Sequence, residues 1–197
     1  NDTITTKPVL SGVIDGIGAV THFKAKNSAG ETLIDEDLDM TGVKTGDLDA
    51  GHAKALEYLH TWLDKQPQFG KLAAIGHRVL HGGDIYSKPV RIDDTVYQNL
   101  MDLAPLGPLH QKHNLRPVKA FFTLYPDVPQ VACFDTAFHM TQDPLARRLP
   151  IPKKFDDEGI KRYGFHGISF DYIAYTLPNY MSDEEANGKI IVAHLGN

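Results

Sequence analysis

The sequence has little cysteine and no long apolar run. Its 197 residues include one cysteine, Cys133, inside the apolar stretch 131–134, so no internal disulfide can form and the thiol is predicted to be buried and inert. No apolar stretch approaches the roughly 20 residues that cross a bilayer, and residues 1–7 lack both a basic and an apolar leader segment. We therefore expect a cytoplasmic protein with no membrane partner.

The sequence also lacks a concentration of positive charge. The formal net charge is -5, and the lysines and arginines are scattered rather than gathered in a basic stripe. Because such a stripe is what neutralises a phosphate backbone, nucleic acid is not an expected partner. With 42% hydrophobic and 23% charged residues, the chain is typical of globular proteins. Any small anionic ligand must then be held by local groups.

The first half of the chain predicts strands, a helix and a buried strand in turn. Residues 9–26 are apolar and β-branched with interrupting glycines, and 27–30 supply a turn, which indicates a β-meander. Apolar residues at helical spacing from Ala53 to Leu63 predict an amphipathic helix with Asp49 as its cap. The run 72–75 predicts a buried strand that ends at Gly76.

The second half repeats the pattern of helix, strand and polar cluster. Spacing from Leu115 to Tyr125 predicts a helix with Pro117 in its first turn, and 130–134 predicts a buried strand ending at Asp135. Residues 162–169 are expected to form a turn, and 189–193 a third short strand. A domain boundary is expected within 141–152.

Chemically useful residues gather where the apolar runs end, which is the edge of an α/β sheet that usually carries the site. The clusters are His77-Arg78 with His81-Gly82-Gly83, Asp135 with His139, Phe165-His166-Gly167, and His194-Leu195-Gly196-Asn197. Each cluster except Asp135 with His139 joins a charged or titratable side chain to glycine, and glycine lets the backbone approach a ligand closely.

Each cluster allows more than one interpretation. Arg78 presents a planar fork that fits a carboxylate or phosphate, or it is a surface ion pair. Asp135 is a proton acceptor, a magnesium ligand through water, an orienting partner for a cation, or a turn cap. His166 stabilises developing negative charge, or it is a histidine hydrogen-bonded to the backbone in a tight turn.

Two kinds of site have weak support or none. His77 and His81 are four residues apart, and His110 and His113 three apart, but no second cysteine or zinc-protease pattern supports a transition-metal site, so no protein metal ligand is predicted. No stretch matches the P-loop, and Gly16-Ile17-Gly18 lacks the third glycine of a dinucleotide fingerprint. Any nucleotide must bind in another way.

Five motifs, taken in order, resemble the acetate kinase family. They are Gly76-His77-Arg78-Val79-Leu80-His81-Gly82-Gly83, Ala104-Pro105 with Pro108-Leu109-His110, Phe134-Asp135-Thr136-Ala137-Phe138-His139, Tyr163-Gly164-Phe165-His166-Gly167, and His194-Leu195-Gly196-Asn197. The resemblance implies an α/β fold built from ribonuclease-H-like, actin-like ATPase domains, each a mixed sheet flanked by helices. Residues 1–140 would be the first domain, without its first strand, and 141–197 the start of a second, nucleotide-binding domain.

The resemblance also implies an activity, the reversible transfer of the γ-phosphoryl group of ATP to acetate, with Mg²⁺ as cofactor and a homodimer as the assembly. Arg78 would hold the carboxylate or phosphoryl group, His166 would stabilise its charge, and Asp135 would act as acid/base or metal-orienting carboxylate. Three side chains would wall the methyl pocket: Leu80, Leu109 and Phe165. Four residues would approach the ATP phosphates: His194, Leu195, Gly196 and Asn197.

Departures from the family pattern indicate a fragment, and three alternatives to a complete acetate kinase stay open. Residues 1–8 lack the serine-rich phosphate loop, and the chain stops within the last motif, so a catalytically incomplete fragment is expected. Gln111-Lys112-His113 and Phe170 also differ from the family's usual residues. A propionate kinase, a non-catalytic fragment and a histidine-rich metal hydrolase remain as alternatives.

Overall fold

The computed structural model describes residues 7–67 and 69–196, which form two compact units. Unit 1 comprises Asn1–Ala73 and Arg116–Val128, and unit 2 comprises Ala74–Leu115 and Pro129–Asn197. Within the described ranges, no helix is both long and apolar enough to cross a membrane. The predicted boundary between residues 140 and 141 falls inside unit 2 and stays a prediction about domains.

Unit 1 opens with the predicted meander, which is confirmed. Strands β1 (Leu10–Asp15), β2 (His22–Asn27) and β3 (Thr32–Asp37) form an antiparallel sheet in that order. Gly16 and Gly18 have positive φ in the first turn, a backbone region that glycine enters without steric cost. Phe23 and Ala25 of β2 are buried and alternate with lysines, so one face of the sheet is apolar.

Helix α1 (Leu48–Leu63) covers this apolar face. Phe23 meets the ring of Trp62 edge-on at 5.2 Å, and burying such a ring contributes about 2–3 kcal/mol. The predicted cap was wrong: Asp47 accepts the N–H of Ala50 at 3.1 Å, while Asp49 lies in the first helical turn. The helix begins at Leu48, before Ala53, where the predicted apolar spacing begins.

The sheet of unit 2 is mixed. Strand β4 (Ile75–Val79) runs parallel to β6 (Gln130–Phe134), and the short β5 (Val90–Arg91) pairs antiparallel with β6. The prediction of β6 is confirmed. The prediction for 72–75 was wrong because the ladder with β6 begins at Ile75, so His77 and Arg78 lie within the strand rather than after it.

The remaining helices belong to unit 2, except for the later part of α3. They are α2 (Asp94–Asp102), α3 (Gln111–Leu124), α4 (Pro144–Arg147), α5 (Lys153–Asp157), α6 (Gly167–Thr176) and α7 (Asp183–Ala186), with short 3-10 helices at Ala104–Leu106, Phe138–Thr141 and Leu177–Asn179. Residues 111–115 of α3 belong to unit 2 and the rest of α3 to unit 1. Because α3 begins at Gln111, Pro117 lies inside the helix and not in its first turn, where it was predicted.

Two further predictions near the end of the chain differ from the structure. The predicted turn 162–169 ends at His166, since α6 already begins at Gly167. The predicted strand 189–193 is not formed, and these residues have no partner strand within the described part of the chain. An apolar run becomes a strand only when a neighbour completes its hydrogen-bond ladder.

Candidate functional site

An ion pair lies at the carboxyl end of the parallel strands. The register of β4 and β6 places Arg78 opposite Cys133, so Arg78 lies near Asp135, which directly follows β6. Arg78 Nη2 donates to Asp135 Oδ2 at 2.7 Å, and Nε lies 3.2 and 3.1 Å from Oδ1 and Oδ2. The Asp135 side chain is 1% exposed and that of Arg78 is 63% exposed. The guanidinium therefore faces open space while its partner is buried.

Asp135 fixes the direction of Arg78. Its hydrogen bonds raise the pKa of Arg78 above the ordinary value, and a guanidinium is charged at neutral pH even without that shift. Nη1 donates to none of the described residues, which leaves a charged donor available. Among the described residues the Asp135 carboxylate accepts from Arg78 alone, which agrees with the orienting interpretation of Asp135 and not with a turn cap.

A cavity of about 760 Å³ opens beside this pair, within unit 2. The residues that line it are Arg78, Leu80, His110, Asn114, Asp135, His166, Ile168, Ser169, Tyr172 and His194. Helices α3 and α6 both contribute residues from or beside their first turns. Since a helix amino end carries partial positive charge, the cavity combines an arginine, several imidazoles and two such ends. This composition favours an anionic ligand.

The backbone at His166 is held in an uncommon conformation. His166 has φ 58 and is the one non-glycine residue with positive φ in the described ranges. The next residue, Gly167, donates its N–H to the Asp135 carbonyl at 2.8 Å, and a Cβ at position 167 would lie 2.3 Å from that oxygen. Glycine is needed there for the close approach. The His166 ring lies 4.4 Å from the ring of His194.

His139 supports the same segment, and sequence reasoning gave it no role. Its Nε2 donates to the Phe165 carbonyl at 2.8 Å. A Cβ at Gly164 would lie 2.3 Å from Cγ of His139, so the glycine makes room for this ring. Phe170 packs against His139 at 5.6 Å. Phe170 replaces the residue usual in the resembling family, and this departure was the signal that could have drawn attention to the contact.

The loop after β4 is held by side chains. The N–H groups of residues 80–83 donate to Asn114 Oδ1, Gln111 Oε1, Thr136 Oγ1 and His81 Nδ1, at 3.0, 3.1, 3.1 and 2.9 Å. Burial lowers the pKa of His81, which keeps its Nδ1 available as an acceptor. Gln111 and Asn114 lie 30 and 34 residues from their partners, so no local pattern reveals them.

The structure brings together only part of the predicted site. The predicted residues that line the cavity are Arg78, Leu80, Asp135, His166 and His194. The predicted residues that do not line it are Leu109, Phe165, Leu195 and Gly196, and Asn197 lies outside the described residues. Leu109 is 77% exposed, and the Phe165 ring packs against His81 at 5.8 Å. The roles assigned to all of these residues stay predictions.

The residues considered as metal ligands are used in other ways. His77 Nε2 and Gln130 Oε1 are 2.7 Å apart, and His81 accepts from Gly83. Over residues 7–67 and 69–196, no group of three or more His, Cys, Asp or Glu side chains is arranged to hold a metal ion. Cys133 is half-buried rather than buried, and burial raises the pKa of its thiol.

Comparisons with known proteins all indicate the same family. The family model described as the Acetokinase family matches residues 1–197. The chain is 43% identical over 188 residues to the acetate kinase of Nitrobacter hamburgensis, which is 95% of this chain and 45% of that protein. It is also 43% identical over 188 residues to the acetate kinase of Rhizobium meliloti, covering 95% of this chain and 46% of that protein. The chain thus spans less than half the length of these relatives.

Solved structures show the same relationship. The Porphyromonas gingivalis acetate kinase matches with a TM-score of 0.72 and 29% identity, over 87% of this chain and 42% of that one. A propionate kinase from Francisella tularensis matches with a TM-score of 0.75 and 27% identity, over 89% and 43%. The predicted α/β fold of the actin-like ATPase type, with a mixed sheet flanked by helices, is confirmed.

Proposed function

This chain belongs to the acetokinase family, and on that premise we propose that the protein transfers the γ-phosphoryl group of ATP reversibly to acetate, giving acetyl phosphate and ADP. One observation supports this most: a charged arginine, held by a buried carboxylate, presents free donors to a cavity that histidines also line. Phosphoryl transfer needs little covalent chemistry from the protein, since positioning and charge stabilisation supply most of the catalysis. The cavity offers both.

The roles follow from chemistry at each atom. Arg78 binds the carboxylate of acetate or the oxygens of the moving phosphoryl group through Nη1, while Asp135 holds the guanidinium in place. The charge that develops on the equatorial phosphoryl oxygens is stabilised by His166, with His194 beside it. We assign the ATP phosphates to the segment 194–197 and the wall around the methyl group to Leu80, with Leu109 and Phe165 as further wall residues.

Magnesium is part of this proposal, as the ion that accompanies ATP. Asp135 supplies the one carboxylate among the residues that line the cavity, and both of its oxygens already accept from Arg78. One carboxylate fits Mg²⁺ that is held mainly by nucleotide phosphates and water, the usual arrangement in kinases. Bound there, the ion would neutralise charge on the phosphates. The chain's own contribution is to orient Asp135 and Arg78.

A propionate kinase is the second candidate, favoured by the similarity to the Francisella tularensis structure. One extra methylene changes discrimination by only about 1–3 kcal/mol, so a single wall residue such as Leu80 can tip the preference. Comparing kcat/KM for acetate and propionate decides between the two acids. We further propose a cytoplasmic location, supported by the single half-buried cysteine, and a homodimer, supported by family membership.

The test uses the protein expressed from its full open reading frame. Incubation with acetate and MgATP is expected to give acetyl phosphate that hydroxylamine traps, and Arg78→Ala is expected to abolish it. The matched control is Arg148→Ala, which breaks an exposed pair with Asp156. Product no greater than in a heat-killed sample would refute the proposal. The 197-residue chain is assayed in parallel, and activity there would exclude the non-catalytic interpretation of this part.

A further inference from the structure

The side-chain amide of Asn114 has a fixed orientation. A backbone N–H can donate to the amide oxygen but not to the NH₂ group, and the N–H of Leu80 donates to Asn114 at 3.0 Å. The oxygen is therefore the end that faces Leu80, and Nδ2 is the other end. Among residues 7–67 and 69–196, Nδ2 has no hydrogen-bond partner, so two N–H donors are unused.

Asn114 also lies where it can contact a ligand in the cavity. It is half-buried, lines the cavity together with Arg78 and His166, and lies in the first turn of α3. The same turn is anchored by Gln111, whose Nε2 donates to the carbonyls of His81 and Leu100 at 3.0 and 3.1 Å. A donor held in this way needs no rearrangement when an anion arrives, which is the condition for strong electrostatic stabilisation.

We propose that Asn114 is an anion-binding residue of this site, whose Nδ2 donates to an oxygen of the acetate carboxylate or of the phosphoryl group. The inference rests on the proposed function for the identity of the anion. Arg78 reaches the ligand from β4 and Asn114 reaches it from α3. The competing explanation is that Asn114 only positions Leu80 through its oxygen. The two explanations differ in which half of the amide matters.

Two substitutions separate them. Asn114→Asp keeps an oxygen that accepts from Leu80 but replaces the donor with a negative charge, whereas Asn114→Ala removes both functions. If Nδ2 binds the anion, KM for acetate rises about 10-fold in Asn114→Ala and about 100-fold in Asn114→Asp. If Asn114 only positions Leu80, Asn114→Asp matches the wild type and Asn114→Ala is the weaker variant. That order of effects overturns the inference.

The added charge needs its own control, and binding needs a readout other than turnover. Asn179→Asp makes the same change at an exposed position outside the cavity and is expected to leave KM unchanged. In ¹⁵N-labelled wild-type protein, the Asn114 amide protons are expected to shift and saturate with inorganic phosphate or acetate. Phosphate binding that weakens in Asn114→Asp, in a protein without turnover, supports this inference while refuting the proposed function. Amide protons that never shift overturn it.

Discussion

The pair of Arg78 and Asp135 allows a quantitative test. Replacing Arg78 with alanine leaves a carboxylate that is 1% exposed without its charged partner. Breaking a fully buried pair costs about 3–5 kcal/mol, but the Arg78 side chain is 63% exposed and water can reach the gap. We therefore expect Arg78→Ala to lower the free energy of unfolding by about 2 kcal/mol. Asp135→Asn removes the stranded charge. The double variant should therefore recover part of the loss, with a coupling energy of about 1–2 kcal/mol.

The assay must resolve the two units. Urea unfolding followed by pulsed hydrogen–deuterium exchange reports unit 2 through peptides of β4 and β6, and unit 1 through peptides of α1. The same cycle on Arg148 and Asp156, whose side chains are 40% and 35% exposed, should give less than about 1 kcal/mol of coupling. Additive single effects at Arg78 and Asp135, within about 0.5 kcal/mol, would show that the buried carboxylate does not depend on the arginine.

Two further predictions concern a charge cluster and a glycine. Hydrogen bonds to Asp37 and Asp35 raise the pKa of His22 above 6.5. The contribution of protonated His22 to folding stability is therefore complete below pH 6.5 and is lost as the pH rises through the raised pKa. The urea concentration at the unfolding midpoint, followed by Trp62 fluorescence, should fall as the pH rises through this range in the wild type but not in His22→Gln. The same dependence of the midpoint on pH in both proteins would contradict this prediction. Gly164→Ala should displace the His139 ring, which a Cβ would meet at 2.3 Å, and weaken phosphate binding about 10-fold. Gly76→Ala is the control, because a Cβ at that position has no atom within 4 Å. Equal phosphate affinities in Gly164→Ala and Gly76→Ala would contradict this prediction.

Local patterns predicted those elements whose apolar residues also form the core. Strand β6 has the expected bounds because both neighbours of its ladder are present and its alternate residues are buried. The meander follows from glycines at its first turn and alternation along β2. The predicted position of β4 was wrong because the strand includes His77, a polar residue. His77 is buried against Gln130, which lies 53 residues further along the chain. No local pattern carries a pairing at that separation.

The candidate site was predictable only in part for the same reason. Arg78 and Asp135 were each predicted where an apolar run ends, but not as a pair, because no local pattern shows that β4 and β6 run parallel side by side. Which atoms of the pair are buried, and the support from His139, required the packing of α6. Asn114 holds the loop after β4 through the oxygen of its amide, which accepts from Leu80, a residue 34 positions earlier in the chain. A single sequence reveals candidate groups, but their orientation depends on tertiary contacts.

The left-handed backbone of His166 limits which replacements can be interpreted. Alanine at this position would lose the imidazole and would also adopt φ 58 less readily than histidine does, so reduced activity would mix two causes. Glycine accepts the conformation but loosens the segment before α6, whereas asparagine tolerates it and keeps a polar side chain. A substitution at residue 166 must therefore satisfy two separate requirements, the positive φ of the backbone and the imidazole that lines the cavity. His166→Asn separates these two requirements in one protein.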